Sequence, residues 1–169
     1  MSATPLKAEA TTVIDPEIHF RIEDFLTCYA HVLDDGTIDE WPGFFAEDAI
    51  YQITTRENCE AGYPIGVLYC EGRGMITDRV KALRTANIFE GHTYCHILGR
   101  PSVREERPGV VAVRSNFSVF RTMEDGKAEL FATGKYLDRI DLRDEQPRFM
   151  ERRVILDSRR IDVLLVLPL

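Results

Sequence analysis

The sequence predicts an α+β domain, with N-terminal helices packed in one long, curved antiparallel sheet that the C-terminal half supplies. Three observations predict it. Up to about residue 88, apolar residues recur mainly at three- and four-residue spacing. From Thr93 onward the period changes to two. The period-two segments are long, and strands of that length bend a sheet into a cone or half-barrel around an interior.

The elements follow in order. Residues 1–15 read as a flexible arm, Thr- and Ala-rich and without periodicity. Asp15 then supplies a cap, Pro16 a first helical position and Glu17 a charge suited to a helix start. Ile18, Ile22, Phe25, Leu26, Tyr29 and Leu33 carry a helix over about 16–33, which Asp34-Asp35-Gly36 ends. A short second helix spans Thr37 to Phe45, with Pro42 in its first turn. Glu47-Asp48 reads as a turn, 49–55 as a strand, 56–64 as a polar loop and 65–69 as an apolar run of undetermined type. Gly72-Arg73-Gly74 breaks the chain before a third helix over about 75–88. One strand is expected over 93–105, kinked at Gly99-Arg100-Pro101, and a second over 110–123. Asp125-Gly126 marks a hairpin, followed by strands over 127–141 and 148–157. The tail from Ile161 to Leu169 is almost wholly apolar, consistent with a last core strand, a subunit interface, or both.

The 169 residues fit a single domain over 16–169, large enough to bury a core without disulfides or metal. A net charge of -7 argues against nucleic acid or an anionic membrane as partner. No apolar run reaches the length of a membrane span, and the N-terminus shows no signal-peptide core, so a cytoplasmic location is expected. Cys28, Cys59, Cys70 and Cys95 are irregularly spaced, with no C-x-x-C pair, and are expected to be free thiols, mostly buried.

Few constellations carry chemistry. His92 and His96 would share a helix face, but on a strand their side chains stand about 13 Å apart, too far to hold one ion. Gly72-Arg73-Gly74 lacks the third glycine of a dinucleotide fingerprint, because Thr77 stands there. Asp34-Asp35 opposes the helix dipole, so these acids should face solvent, a partner or an arginine. If the cone held a ligand, Tyr29, Asp34, His92 and His96 would be the acid–base candidates, and the chain would be an isomerase, dehydratase or cyclase acting on a small aromatic molecule. Arginine is prominent, and its planar fork suits protein interfaces.

An ordered set of segments carries a resemblance. It runs through Leu33-Asp34-Asp35, Trp41-Pro42-Gly43-Phe44-Phe45, Asp48, Tyr51 and Arg56-Glu57-Asn58. It continues through residues 72–80, Ala82-Leu83-Arg84, residues 86–90 and His96-Ile97-Leu98-Gly99, closing with Asp157-Ser158 and residues 164–169. In these the chain resembles the small (β) subunits of aromatic-ring-hydroxylating, Rieske non-haem iron dioxygenases, most of all those acting on terephthalate and related aromatic carboxylates. The resemblance implies an NTF2-like, ketosteroid-isomerase-like cone that is a non-catalytic structural subunit. It implies a partner large (α) subunit, three of each in a hexamer, carrying a Rieske [2Fe-2S] cluster and a mononuclear Fe(II). It also implies electrons from NADH through a reductase, with or without a ferredoxin, and cis-dihydroxylation of an aromatic ring. No catalytic, cofactor-binding or metal-binding residue transfers onto this chain. On that reading we place subunit contacts at Arg73, Arg79, Arg84, His96, Arg159 and Leu169.

Overall fold

Asp15 caps helix α1 (Pro16–Asp34), its side chain accepting the Glu17 amide at 2.9 Å, with Pro16 in the first turn. The helix buries Ile22, Phe25, Leu26, Tyr29 and Leu33 against the sheet, as their spacing requires. A 3₁₀ helix (Ile38–Phe44) then delivers Trp41 to the interior. Strand β1 (Phe45–Thr55) leads into a short helix α2 (Arg56–Glu60), strand β2 (Leu68–Glu71) and helix α3 (Gly72–Thr85). The remaining strands are β3 (His92–Leu98), β4 (Ser102–Arg107), β5 (Val110–Met123), β6 (Ala128–Asp141) and β7 (Arg148–Leu156). This computed structural model describes residues 14–63, 66–85, 91–158 and 168–169.

Among the described residues the strands form one sheet in the order β2-β1-β7-β6-β5-β3, with β4 also paired to β5. Four register shifts bend it, at Phe45/Ile50, Glu105/Arg107, Val119/Phe120 and Arg139/Ile140. The first puts three extra residues on β1 and each of the others one extra residue on one strand, which increases the local twist, so the sheet curls around α1 and α3. Gly134 allows the closest approach inside it. A Cβ there would overlap the Ile155 carbonyl of β7 and press on the Phe117 ring of β5.

Several expectations need correction. The sheet is mixed, because β1 and β7 pair in parallel. The chain leaves β1 through helices and returns only after the whole meander, a connection long enough to bring the last strand beside the first in the same direction. The expected strand over 93–105 is two strands, β3 and β4, separated at Gly99–Pro101 and both hydrogen-bonded to β5. Glu47 and Asp48 lie in β1, at its bulge, rather than in a free-standing turn. The polar loop over 56–64 contains α2, capped by the Thr55 hydroxyl accepting the Asn58 amide. The apolar run after Pro64 ends in β2, and α3 begins three residues before the periodicity signals it. The arm over 1–13, the last turn expected of the third helix (86–88), Arg159 and the tail over 161–167 fall outside the described residues.

The tail's last residue does not. Leu169 is wholly buried in the core cluster with Tyr29, Trp41, Phe45 and Tyr51. Its side chain serves the interior of its own chain. Truncation of a buried leucine removes transfer free energy and leaves a cavity. Leu169→Ala is expected to lower the unfolding free energy by about 2–5 kcal/mol, read by urea denaturation followed by circular dichroism. A change below about 0.5 kcal/mol would show that the core does not depend on this residue.

Candidate functional site

The sequence-derived acid–base candidates separate into two places. Asp34, at the end of α1, meets His96 on β3. One carboxylate oxygen accepts the His96 backbone amide at 2.9 Å, and the other lies 2.5 Å from His96 Nδ1. The acid that opposes the α1 dipole thus finds a histidine and an edge-strand amide rather than an arginine. The His96 side chain is buried, and its Nε2 has no partner among the described residues. Alternation along β3 turns His92, Tyr94 and His96 to the same inner side, but Tyr94 stands between the two imidazoles, its ring centroid 5.1 Å from His92 and 6.2 Å from His96. The two histidines do not converge on a common point. Among the described residues no three His, Cys, Asp or Glu side chains gather in a way that could hold a metal ion.

Tyr29 belongs to a different cluster at the centre of the cone. Trp41 Nε1 donates to its hydroxyl at 3.0 Å, and that hydroxyl donates to the Leu169 backbone oxygen at 3.0 Å. Tyr51 donates to the same oxygen and accepts the Leu169 amide, each at 3.0 Å. Beside them lies Arg152, 1% exposed, whose Nη1 donates to Asp138 at 3.0 Å. Its guanidinium sits over the rings of Tyr136, Tyr29 and Phe149, at 3.7, 4.2 and 4.6 Å from their centroids. Such contacts stabilise a desolvated cation by about 2 kcal/mol or more.

Burial decides what these groups can do. It raises the Tyr29, Tyr51 and Tyr136 hydroxyls above their ordinary value, so they remain protonated donors. Burial also pushes the Asp138 carboxyl up to about 7, against the pull of Arg152. It opposes the Arg152 charge too, but Asp138 and the tyrosines outweigh it and raise the guanidinium further. A protonated phenol held between an indole and a backbone oxygen makes a poor proton shuttle. Surface depressions lie on the outer sheet face around Arg104, Arg114 and Arg153, and between α1 and the 3₁₀ helix around Phe25, Cys28 and Phe44. Neither is lined by Tyr29, Asp34, His92 or His96.

The expected interface arginines of α3 have intramolecular tasks. Arg73 donates to the Phe45 carbonyl at 3.0 Å and pairs with Glu47, holding α3 on β1. Arg84 pairs with Asp39 of the 3₁₀ helix at 2.5 Å. Arg79 lies near Cys70, whose thiol burial raises despite the opposing charge; the expectation of mostly buried cysteines is corrected, because Cys28, Cys59 and Cys95 are exposed. The sequence reading singled out none of Asp138, Tyr136 and Arg152 as a buried cluster. The signal was present: period two along β7 groups Arg152 with Val154 and Leu156, and along β6 it groups Asp138 with Tyr136 and Ile140.

With this geometry in place, comparison with known proteins identifies relatives. Residues 29–163 match the family described as ring hydroxylating beta subunit. The chain is 38% identical over 149 residues to the subunit beta 2 of the terminal oxygenase component of terephthalate 1,2-dioxygenase from Comamonas sp., covering 88% of this chain and 97% of that one. It is 34% identical over 155 residues to the anthranilate 1,2-dioxygenase small subunit of Burkholderia cepacia, covering 92% and 96%. A solved structure from Novosphingobium aromaticivorans, assigned as the beta subunit of an aromatic-ring-hydroxylating dioxygenase, superposes with a TM-score of 0.84 at 37% identity, covering 91% of this chain and 98% of that one.

Two outcomes test the central cluster. Asp138→Ala strands a buried guanidinium and should cost about 3–5 kcal/mol by denaturant unfolding, whereas pairing Asp138→Leu with Arg152→Met should restore most of the loss. The carboxyl of Asp138 is raised on folding, so its contribution is present below the unfolded value and lost as pH rises through the folded one. The stability of the wild type relative to Asp138→Asn should therefore fall between about pH 4 and about pH 7. A flat difference over that window would contradict the shift.

Proposed function

The chain belongs to the ring hydroxylating beta subunit family, and from that premise we propose that it is the non-catalytic small subunit of a Rieske dioxygenase that cis-dihydroxylates an aromatic carboxylate. The observation that carries this reading is the match over residues 29–163, which takes in most of the described cone. The filled interior supports it. Where a stand-alone isomerase, dehydratase or cyclase of this shape would need a ligand chamber, Trp41, Tyr29, Tyr51, Tyr136, Phe45, Phe149 and Arg152 occupy the space. Asp34 and His96 pin α1 to the edge of the sheet instead of facing a chamber.

In this reading the partner is a large oxygenase subunit, three of each forming a hexamer in the cytoplasm. That subunit holds a Rieske [2Fe-2S] cluster and a mononuclear Fe(II), which when bound supply electron transfer and oxygen activation. Electrons arrive from NADH through a reductase, with or without a ferredoxin. The small subunit acts mechanically: its rigid, interlocked core presents a fixed outer surface to its neighbours. The terephthalate and anthranilate relatives point to an aromatic carboxylate as substrate, chosen in the large subunit's pocket. No helix among the described residues is long and apolar enough to cross a membrane.

Affinity purification of the tagged chain from its host grown on an aromatic carboxylate tests the reading. We expect a stoichiometric larger partner, identified by mass spectrometry as an oxygenase large subunit, with the visible absorption of a Rieske cluster. A colourless homo-oligomer with no partner would overturn it. In assembled enzyme, His96→Ala should leave the iron-to-large-subunit ratio unchanged. Loss of iron in proportion to the substitution, with assembly intact, would place this chain at the metal centre.

A further inference from the structure

The register of the sheet aligns side chains on its outer face into rows. One row crosses β4, β5, β6 and β7 as Arg104, Ala112, Arg139 and Glu151. The next crosses the same strands as Ser102, Arg114, Leu137 and Arg153. Lys135 follows beside Asn116. Beyond it the face turns apolar. Cys95 of β3, Phe120 of β5 and Leu130 of β6 stand in one row, with Ile97 next along β3. Ile97, Phe120 and Leu130 are 54%, 42% and 57% exposed.

The basic end is undercompensated. Arg139 pairs with Glu106 and Arg153 with Glu151, while Arg104, Arg114 and Lys135 form no ion pair among the described residues. This surplus of positive charge sits on a chain whose net charge is -7. Arginine, aromatic and aliphatic side chains on one continuous face form the composition of an interface. The rows cover about 20 Å by about 30 Å, approaching the roughly 800 Å² that one partner contributes to a standard interface.

We propose that this outer face, from Arg104 and Arg114 to Ile97 and Leu130, is the docking surface for the large subunit, which meets it with carboxylates at the basic end and apolar side chains at the other. The inference rests on the small-subunit reading above. Charge selects this occupant over a second copy of the chain. Two such faces packed about a twofold axis would set unpaired arginines against each other, whereas an acidic surface neutralises them. The expected α3 contacts are displaced in favour of this face, because Arg73 and Arg84 are engaged within the chain.

The test uses the cognate large subunit, co-expressed and purified, with binding measured by interferometry at low and high salt. Arg104→Glu with Arg114→Glu, and separately Leu130→Glu, should each weaken binding by about thirtyfold or more, and Arg84→Glu by less than about threefold. The salt dependence of the wild type should shrink in the double arginine variant. A second measurement needs no variant. Cys95 lies on the face and is exposed, whereas Cys59 lies on α2. Alkylation of the wild-type complex, read by mass spectrometry, should show Cys95 slowed about tenfold relative to the free chain and Cys59 unchanged. If the wild type fails to bind the large subunit, the small-subunit reading itself falls. If it binds while Cys95 reacts at the free rate, or while both face variants bind normally, the reading stands and the face is wrong. Protection of Cys95 in a homo-oligomer of this chain alone would assign the face to a second copy and also overturn the proposal.

Discussion

The buried pair of Arg152 and Asp138 is the constraint around which the cone closes. The two residues face each other across β6 and β7, and the guanidinium reaches three rings: Tyr29 from α1, Tyr136 from β6 and Phe149 from β7. A charge in the centre of a core is tolerated only when every neighbour is in place. A one-residue slip of β7 against β6 would carry Arg152 to the outer face and leave Asp138 alone inside. The pair therefore acts first on register and packing direction. Asp138 Oδ1 and Arg152 Nε have no partner among the described residues, so an apolar substitute could hold the strands together as strongly. What the ionic version adds is a single admissible arrangement of helix and strands.

The neighbouring hydrogen bonds extend that arrangement. Tyr29 and Tyr51 both hold Leu169, and Trp41 holds Tyr29. Helix α1, the 3₁₀ helix, β1 and the end of the described chain are thus tied to one another beside the pair. Among the described residues the centre of the cone is filled. Space that could take a ligand is occupied by the chain's own rings, and the candidate acid–base groups are divided between this cluster and the Asp34–His96 tether.

Much of this was legible in the sequence, to the extent that it is local. The Asp15-Pro16-Glu17 start of α1, its apolar stripe, and the hairpin tip at Asp125-Gly126 depend on residues a few positions apart, and all stand where expected. The pairing of β1 with β7 depends on strands about a hundred residues apart, and no period or turn signal encodes it. Asp34 and His96 were both candidates, but their partnership spans the gap between a helix end and an edge strand. Arg152 does not announce its burial, because Arg152-Arg153 is a doubly charged pair in sequence. On a strand the two side chains point to opposite faces, and only alternation with Val154 and Leu156 tells which one goes in.

The same alternation bears on the outer face. Every inward choice on β5 and β6 obliges an outward neighbour, so that face must carry something, and on a solitary domain mixed charges would serve. Instead, arginines recur in register across four strands, spaced by Ala112 in one row and Leu137 in the next. Like charges on one sheet face repel and add no stability to the free chain. An apolar group as exposed as Phe120 and Leu130 adds none either. Both features become favourable when an acidic, partly apolar surface covers them. A core rigid enough to hold the rows in place and a face that gains from being covered are complementary properties, and together they suit the structural subunit proposed above.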